Sequence, residues 1–79
     1  MVTMYRAHGL RIVIFTNDQE PAHVHVFGDG ELEINLVGPD GIPALVWAQG
    51  MKVNDVRRAV QIVANQQDAF LAKWREIHG

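Results

Sequence analysis

Cysteine is absent from this chain of 79 residues. Neither a disulfide bond nor a thiolate metal site can therefore supplement the small hydrophobic core that a chain of this length forms. Its stability must come from side-chain packing or from a partner chain. A reducing compartment, the cytoplasm, is the expected location.

Long apolar segments and an excess of positive charge are missing as well. Residues 1–6 lack the apolar stretch of a signal peptide, and no segment approaches the roughly 20 apolar residues that span a bilayer. We therefore expect neither secretion nor membrane insertion. The formal net charge of −2 argues against general affinity for nucleic acid, although it does not exclude a local basic patch.

The composition is that of a folded protein. Hydrophobic residues make up 48% of the chain and charged residues 20%, far from the composition of disordered segments. We find no internal repeat, low-complexity segment or linker. The sequence therefore predicts a single domain over residues 1–79.

Five short segments have the character of β-strands. Residues 10–15 are β-branched and apolar on nearly both faces, which is typical of a strand inside a sheet. Residues 23–27 and 31–37 alternate with a period of two, as half-buried strands do. Shorter runs lie at 2–6 and 44–47. These patterns predict an antiparallel sheet of four or five strands.

The rest of the chain, about residues 55–78, has the periodicity of one long helix. Asn54 is a preferred N-cap residue, and Gly79 follows the last periodic position. Gln67 interrupts an otherwise apolar stripe with steps of three and four residues. The apolar members of this stripe are Val56, Val60, Val63, Phe70, Trp74 and Ile77. The predicted fold is α+β, a small antiparallel sheet followed by this helix.

This helix is predicted to extend beyond its sheet. About 24 residues form a helix of roughly 36 Å, whereas strands of five or six residues span only about 17–20 Å. Part of the apolar stripe would then face water in a monomer, and exposed patches of this kind usually bind another chain. The predicted contact residues for a protein partner or a homodimer are Phe70, Leu71, Trp74 and Ile77.

His23 and His25 carry the most chemical information. Residues two apart on a strand point to the same face, and two imidazoles there can ligate a metal or perform acid–base catalysis. A third metal ligand would come from one of Asp18, Glu31, Glu33 and His78. The candidate catalytic residues are the two histidines with Asn17, Asp18 and Glu33. Two alternatives are that the histidines face solvent and pair with neighbouring acids, and that they contact a partner.

The loop Gly28-Asp29-Gly30 predicts how the two strands around it pair. A three-residue loop places His25 opposite Glu33, which predicts a cross-strand ion pair on the sheet face away from the helix. Gly30 is then expected to provide the left-handed residue that such loops require. The same register keeps one alternating set on the core face, namely Val24, Val26, Leu32, Ile34 and Leu36.

Two segments of the chain resemble a known family. They are Ile14–Asp18 with Pro21–Val26, which form one block, and Trp74–His78 near the end. They are similar to the signature of the small bacterial proteins called domain of unknown function 4160. Thr16 replaces the family's usual Ser, and Ala22 replaces its usual second Pro. The resemblance implies no activity, but genes of the family commonly lie beside another small uncharacterised gene, an arrangement similar to a toxin–antitoxin pair.

The sequence as a whole predicts a small partner-binding protein without a cofactor, a component of a toxin–antitoxin-like or regulatory pair. The alternative is a small hydrolase, or a metal-binding, ribonuclease-like toxin. In that alternative His23 and His25 act as base and acid or ligate a divalent metal such as zinc.

Overall fold

The computed structural model describes all 79 residues as a five-stranded antiparallel sheet followed by two helices. The strands are β1 (Val2–Ala7), β2 (Leu10–Ile14), β3 (His23–Phe27), β4 (Glu31–Asn35) and β5 (Ala44–Gln49). The helices are α1 (Val53–Asn65) and α2 (Gln67–His78). Each strand pairs with the next along the chain, so β1 and β5 form the edges. The α+β prediction is confirmed, and the number of strands is five.

One face of the sheet packs against the helices to form the core. Alternate residues of the three inner strands point to this face, as the period of two predicts. Ala59 and Val63 of α1 and Phe70 and Trp74 of α2 cover them. The strand and loop members of the core are Leu10, Ile12, Ile14, Val24, Val26, Leu32, Ile34 and Leu36. No helix combines the length and the apolar character needed to cross a membrane.

The predicted register between β3 and β4 is confirmed. His25 lies opposite Glu33, and Val24 lies opposite Ile34. The expected backbone conformation of Gly30 is wrong, because Gly30 is not among the residues with positive φ. Glycine is required there for another reason. A Cβ atom at Gly30 would lie 2.0 Å from the carbonyl oxygen of Gln49 at the end of β5.

The single long helix predicted from the periodicity is also wrong. Gln66, with φ −109° and ψ 15°, separates α1 from α2. A continuous helix over residues 53–78 would be about 39 Å long, which exceeds the molecule's longest extent of 33 Å. The break lets the second half turn back along the core. The predicted N-cap at Asn54 is wrong too, since α1 begins at Val53 after Lys52, with no side-chain cap.

Gln67, the polar residue of the stripe, has a specific partner on the sheet side. Its side-chain amide nitrogen donates to the carbonyl oxygen of Leu36 at 2.7 Å and to that of Gly41 at 2.9 Å. The first residue of α2 is thereby tied to the chain between β4 and β5. Gln67, the one polar residue in the apolar stripe, therefore satisfies two backbone carbonyl groups.

The break at Gln66 also corrects the predicted exposure of the stripe. Phe70 and Trp74 are each only 2% exposed, so the expectation that they face water is wrong. Leu71 and Ile77 are partly buried against the core. The helix does not extend past its sheet, and the apolar end of the stripe is covered within the chain itself.

Most of the exposed large apolar residues lie on β5 or next to it. Leu45, Val46 and Trp47 are 44%, 48% and 38% exposed, and this edge strand contains no charged residue. Ile42 and Val53, which flank the strand, are exposed as well. Edge strands that are not meant to pair usually carry a charge or a proline. We refer to these five residues as the β5 edge surface.

We predict that Gly30→Ala destabilises the fold more than Gly9→Ala does. The first substitution forces a methyl group against the backbone of Gln49 and Gly50, and overpacking of this kind costs about 1–3 kcal/mol or more. Gly9, with φ 75°, has nothing near the added carbon, so only the left-handed conformation is penalised, by about 1–2 kcal/mol. Urea unfolding of both variants measures the difference. Equal losses would show that β5 does not pass as close to Gly30 as the structure has it.

Candidate functional site

Asp18, His23 and His25 come together on the sheet face away from the core. Asp18 lies in the loop after β2, and the two histidines are the first and third residues of β3. Asp18 Oδ2 is 3.0 Å from His23 Nε2 and 3.5 Å from His25 Nε2. One ligand atom from each of the three residues lies within 4.8 Å of the other two. The sequence predicted both histidines and Asp18 as site residues, and the structure brings them together.

A tight turn after β2 positions Asp18. The backbone N–H of Asp18 donates to the carbonyl oxygen of Phe15 at 3.2 Å, a local bond of the kind that Asn-Asp segments favour. Asn17, the other candidate in this segment, is exposed, and its side chain forms no hydrogen bond within the chain. Of this polar pair, therefore, only Asp18 belongs to the cluster.

The Nδ1 atom of each histidine is already engaged. His23 Nδ1 lies 2.8 Å from the carbonyl oxygen of Pro21, and His25 Nδ1 lies 3.1 Å from Glu31 Oε2. A carbonyl or carboxylate oxygen can only accept, so both Nδ1 atoms must carry the hydrogen and donate. The two Nε2 atoms are left facing Asp18.

Glu33 stands beside the cluster without a short contact to it. The predicted cross-strand pair with His25 exists at 3.9 Å between Glu33 Oε1 and His25 Nε2. The nearer carboxylate is that of Glu31, the diagonal neighbour across the strands. Glu33 Oε1 also accepts a hydrogen bond from Trp47 Nε1 at 3.3 Å. Three carboxylates therefore surround the two imidazole rings.

The expectation that the two histidines face solvent is wrong. His23 is 9% exposed, and the side chain of His25 is 12% exposed. The ring of Phe15 meets that of His25 edge-on at 4.7 Å between centroids, and the Trp47 ring lies 6.4 Å away. Aromatic side chains thus shield His25 from water.

Four contacts of the cluster were not predicted from the sequence, although Glu31 itself was named as a possible metal ligand. The alternation of β2 carries Phe15 onto the histidine face after Val13, so its position could have been found from the strand period. The diagonal contact of Glu31 follows from the same register rule. No sequence pattern indicates that the Pro21 carbonyl contacts His23. Trp47 reaches Glu33 because β5 pairs with β4 through an irregularity next to Glu33, which no local pattern indicates.

The model of the family called domain of unknown function 4160 matches residues 9–75. The chain belongs to that family. No curated protein and no solved structure matches it significantly.

In this member of the domain of unknown function 4160 family, the two segments that carried the sequence resemblance meet in space. Trp74 contacts His23, with 5.2 Å between ring centroids, and its Nε1 donates to Glu20 Oε1 at 3.1 Å. His78 stacks on Trp74 at 3.8 Å, and its Nδ1 lies 3.1 Å from the Trp74 carbonyl oxygen. His78, predicted as a possible third ligand, is therefore a neighbour of Trp74 and lies outside the Asp18 cluster. The end of α2 supports the loop and strand that carry the site.

We predict that Trp74→Ala costs about 3–5 kcal/mol of folding stability, as truncation of buried tryptophans does. The loss includes the core contacts of the indole and its bond to Glu20. Trp47→Ala removes the same side chain from a position that is 38% exposed, so it should cost much less. Urea denaturation at two protein concentrations provides the measurement. A midpoint that depends on concentration in the wild type but not in Trp74→Ala would instead place Trp74 in an intermolecular contact.

Proposed function

We propose that this protein binds a divalent transition metal ion through Asp18, His23 and His25. The observation that carries the proposal is the orientation of the two imidazole rings. Both donate through Nδ1 to fixed oxygen atoms and direct Nε2 toward the same carboxylate oxygen. Metal-binding histidines in proteins have this arrangement, in which a carbonyl or carboxylate accepts the hydrogen of the other ring nitrogen.

A cation is required between the facing atoms. If His23 is neutral, its Nε2 presents a lone pair to Asp18 Oδ2 at 3.0 Å, and two lone pairs at that distance repel. Asp18 Oδ2 is buried and accepts no hydrogen bond of good geometry, and such unpaired buried oxygens are costly. Either a proton on His23 Nε2 or a metal ion shared by the two residues removes the conflict.

The donor set favours zinc among the common metals. Two imidazole nitrogens and a carboxylate, with no thiolate, suit Zn²⁺ and Fe²⁺ and argue against copper(I) or an iron–sulfur cluster. Zinc ligands at about 2.0–2.1 Å from the ion lie about 3.3 Å from one another. The separations of 3.0 Å and 3.5 Å between Asp18 and the histidines are close to this value. The loop therefore needs little movement, whereas the two histidine ligand atoms, which lie within 4.8 Å of each other, must approach by up to about 1.5 Å to share an ion.

The competing state has no metal, and a proton on His23 Nε2 donates to Asp18 Oδ2. If His25 is protonated as well, the carboxylates of Asp18, Glu31 and Glu33 offset the repulsion between the two rings, whose centroids are 5.2 Å apart. The metal-free state predicts no preference for any metal ion. The number of protons released per ion also distinguishes the two states, because a metal ion that binds must displace protons from the rings.

Partner binding is the second proposed function, now assigned to the β5 edge surface. The supporting observation is an edge strand with exposed apolar side chains and no charge. An extended segment of another chain can add to such an edge by main-chain hydrogen bonds. A role in a toxin–antitoxin-like or regulatory pair, in the cytoplasm, remains the proposal that the family resemblance suggests.

We predict that zinc stabilises the purified protein after chelator treatment. At 100 times its dissociation constant a ligand adds about 2.7 kcal/mol, which shifts the Tm of a domain of this size by roughly 10–20 °C. Asp18→Asn should abolish most of this shift, whereas Asp40→Asn in an exposed turn should retain it. Glu31→Gln replaces the carboxylate that accepts from His25 Nδ1 with a neutral amide oxygen and should weaken affinity by up to about 10- to 100-fold.

Calorimetric titration in two buffers of different ionisation enthalpy gives the number of protons released. Release of protons on binding, together with weaker binding as the pH is lowered, is the expected result. An unchanged Tm and no binding heat for zinc, iron(II) and cobalt(II) would leave the histidines as a proton-bearing ion-pair cluster and would refute the metal proposal.

We predict that Val46→Lys prevents strand-mediated association at β5. A lysine on an edge strand opposes the approach of another strand. Thr3→Lys on β1, the opposite edge, is the matched control. Sedimentation of the chain alone, and after co-expression with the product of the adjacent gene, measures the association. A complex that survives Val46→Lys would place its interface on another surface.

A further inference from the structure

The three proposed ligands leave one position of a tetrahedral ion unfilled, and Glu33 is the group nearest to it. Glu33 Oε1 is 3.9 Å from His25 Nε2, only about 0.6 Å more than the separation of two ligands on one zinc ion. Glu33 lies outside the group of ligand atoms that are within 4.8 Å of one another, so its side chain must rotate toward Asp18 and His23 to bind the same ion.

The other carboxylate near His25 is already committed. Glu31 accepts from His25 Nδ1, the ring atom that points away from the ion. Glu33 faces Nε2, and β3–β4 pairing holds its backbone directly opposite that of His25. Its position on the paired strand makes Glu33 the available fourth donor.

Trp47 orients this carboxylate. The indole Nε1 donates to Glu33 Oε1 at 3.3 Å, and carboxylate ligands of metals are commonly held by such an outer hydrogen bond. Because Trp47 lies on β5, the contact links the edge strand to the cluster. The tryptophan is a positioning residue, and Glu33 is the ligand.

The depressions on the surface of the molecule do not open onto the proposed ligands. The three depressions of the molecule lie beside Glu20 and Trp74, at the junction of α1 with α2, and along the β1–β2 hairpin. None of them is lined by Asp18, His25 or Glu33. Catalytic zinc keeps an open position beside a substrate cavity, whereas structural zinc has four protein ligands.

We infer that Glu33 completes a closed, four-coordinate site with Asp18, His23 and His25, and that the ion is structural. This inference rests on the proposed metal-binding function and decides against the hydrolase alternative. The ion joins the loop after β2 to β3 and β4, which are three separate parts of the chain. In a protein without disulfides, it takes the place of a covalent cross-link.

Cobalt(II) tests the inference, because its visible absorption is strong in four-coordinate sites and weak when water completes a larger coordination shell. We expect strong bands in the wild type that do not change when azide is added. Glu33→Gln should weaken cobalt binding by more than the roughly 10- to 100-fold typical of an outer-shell partner, and its bands should weaken and respond to azide. Glu76→Gln, a change on the exposed surface of α2, is the control.

Trp47→Phe removes the indole donor and keeps an aromatic ring, so it should weaken binding to a smaller degree than Glu33→Gln. Wild-type bands that respond to azide would show an open position and overturn the inference even if Glu33→Gln does not fold. Equal spectra and affinities for wild type and Glu33→Gln would place Glu33 outside the coordination sphere while the three-ligand site stands. Failure of the wild type to bind cobalt would instead refute metal binding as a whole.

Discussion

The pairing of β3 with β4 determines both the core and the histidine cluster. In a strand pair, a slip of one residue moves every side chain to the opposite face. With His25 opposite Glu33, the apolar set of each strand enters the core and the polar set remains on the other face. A slipped register would bury Glu33 and expose Ile34. The same hydrophobic effect that forms the core therefore also places the imidazole rings among the carboxylates.

Several structural elements hold the residues of the cluster in place. β3 fixes the spacing of the two histidines, while a turn and a backbone carbonyl fix the loop side of the site. Trp74 lies behind His23 and holds the loop through Glu20. Because the second half of the helical region supplies this tryptophan, two parts of the chain that are far apart in sequence contribute to one local structure. They are the segments that carried the resemblance to the family.

Much of this architecture was predictable from local patterns, and what was missed depends on distant contacts. Alternation of polarity, together with the Gly28–Gly30 loop, indicated the strands and the register of β3 with β4. The break at Gln66 was not predictable in this way, since neither proline nor glycine occurs there and the periodicity continues through it. It results from the limited length of the sheet beneath the helix. The contact of Trp47 with Glu33 likewise depends on an irregularity in strand pairing.

Gln67 shows how a residue that weakens one pattern can be essential to another. On a scale of hydrophobicity, leucine at this position would complete the stripe and appear to be an improvement. That substitution would remove the amide that now donates a hydrogen bond to the carbonyl groups of both Leu36 and Gly41. A sequence designed for this backbone by maximising apolar periodicity would therefore select against the residue that fastens the second helix to the sheet. Variation at Gln67 across the family should be restricted to side chains that can donate two hydrogen bonds.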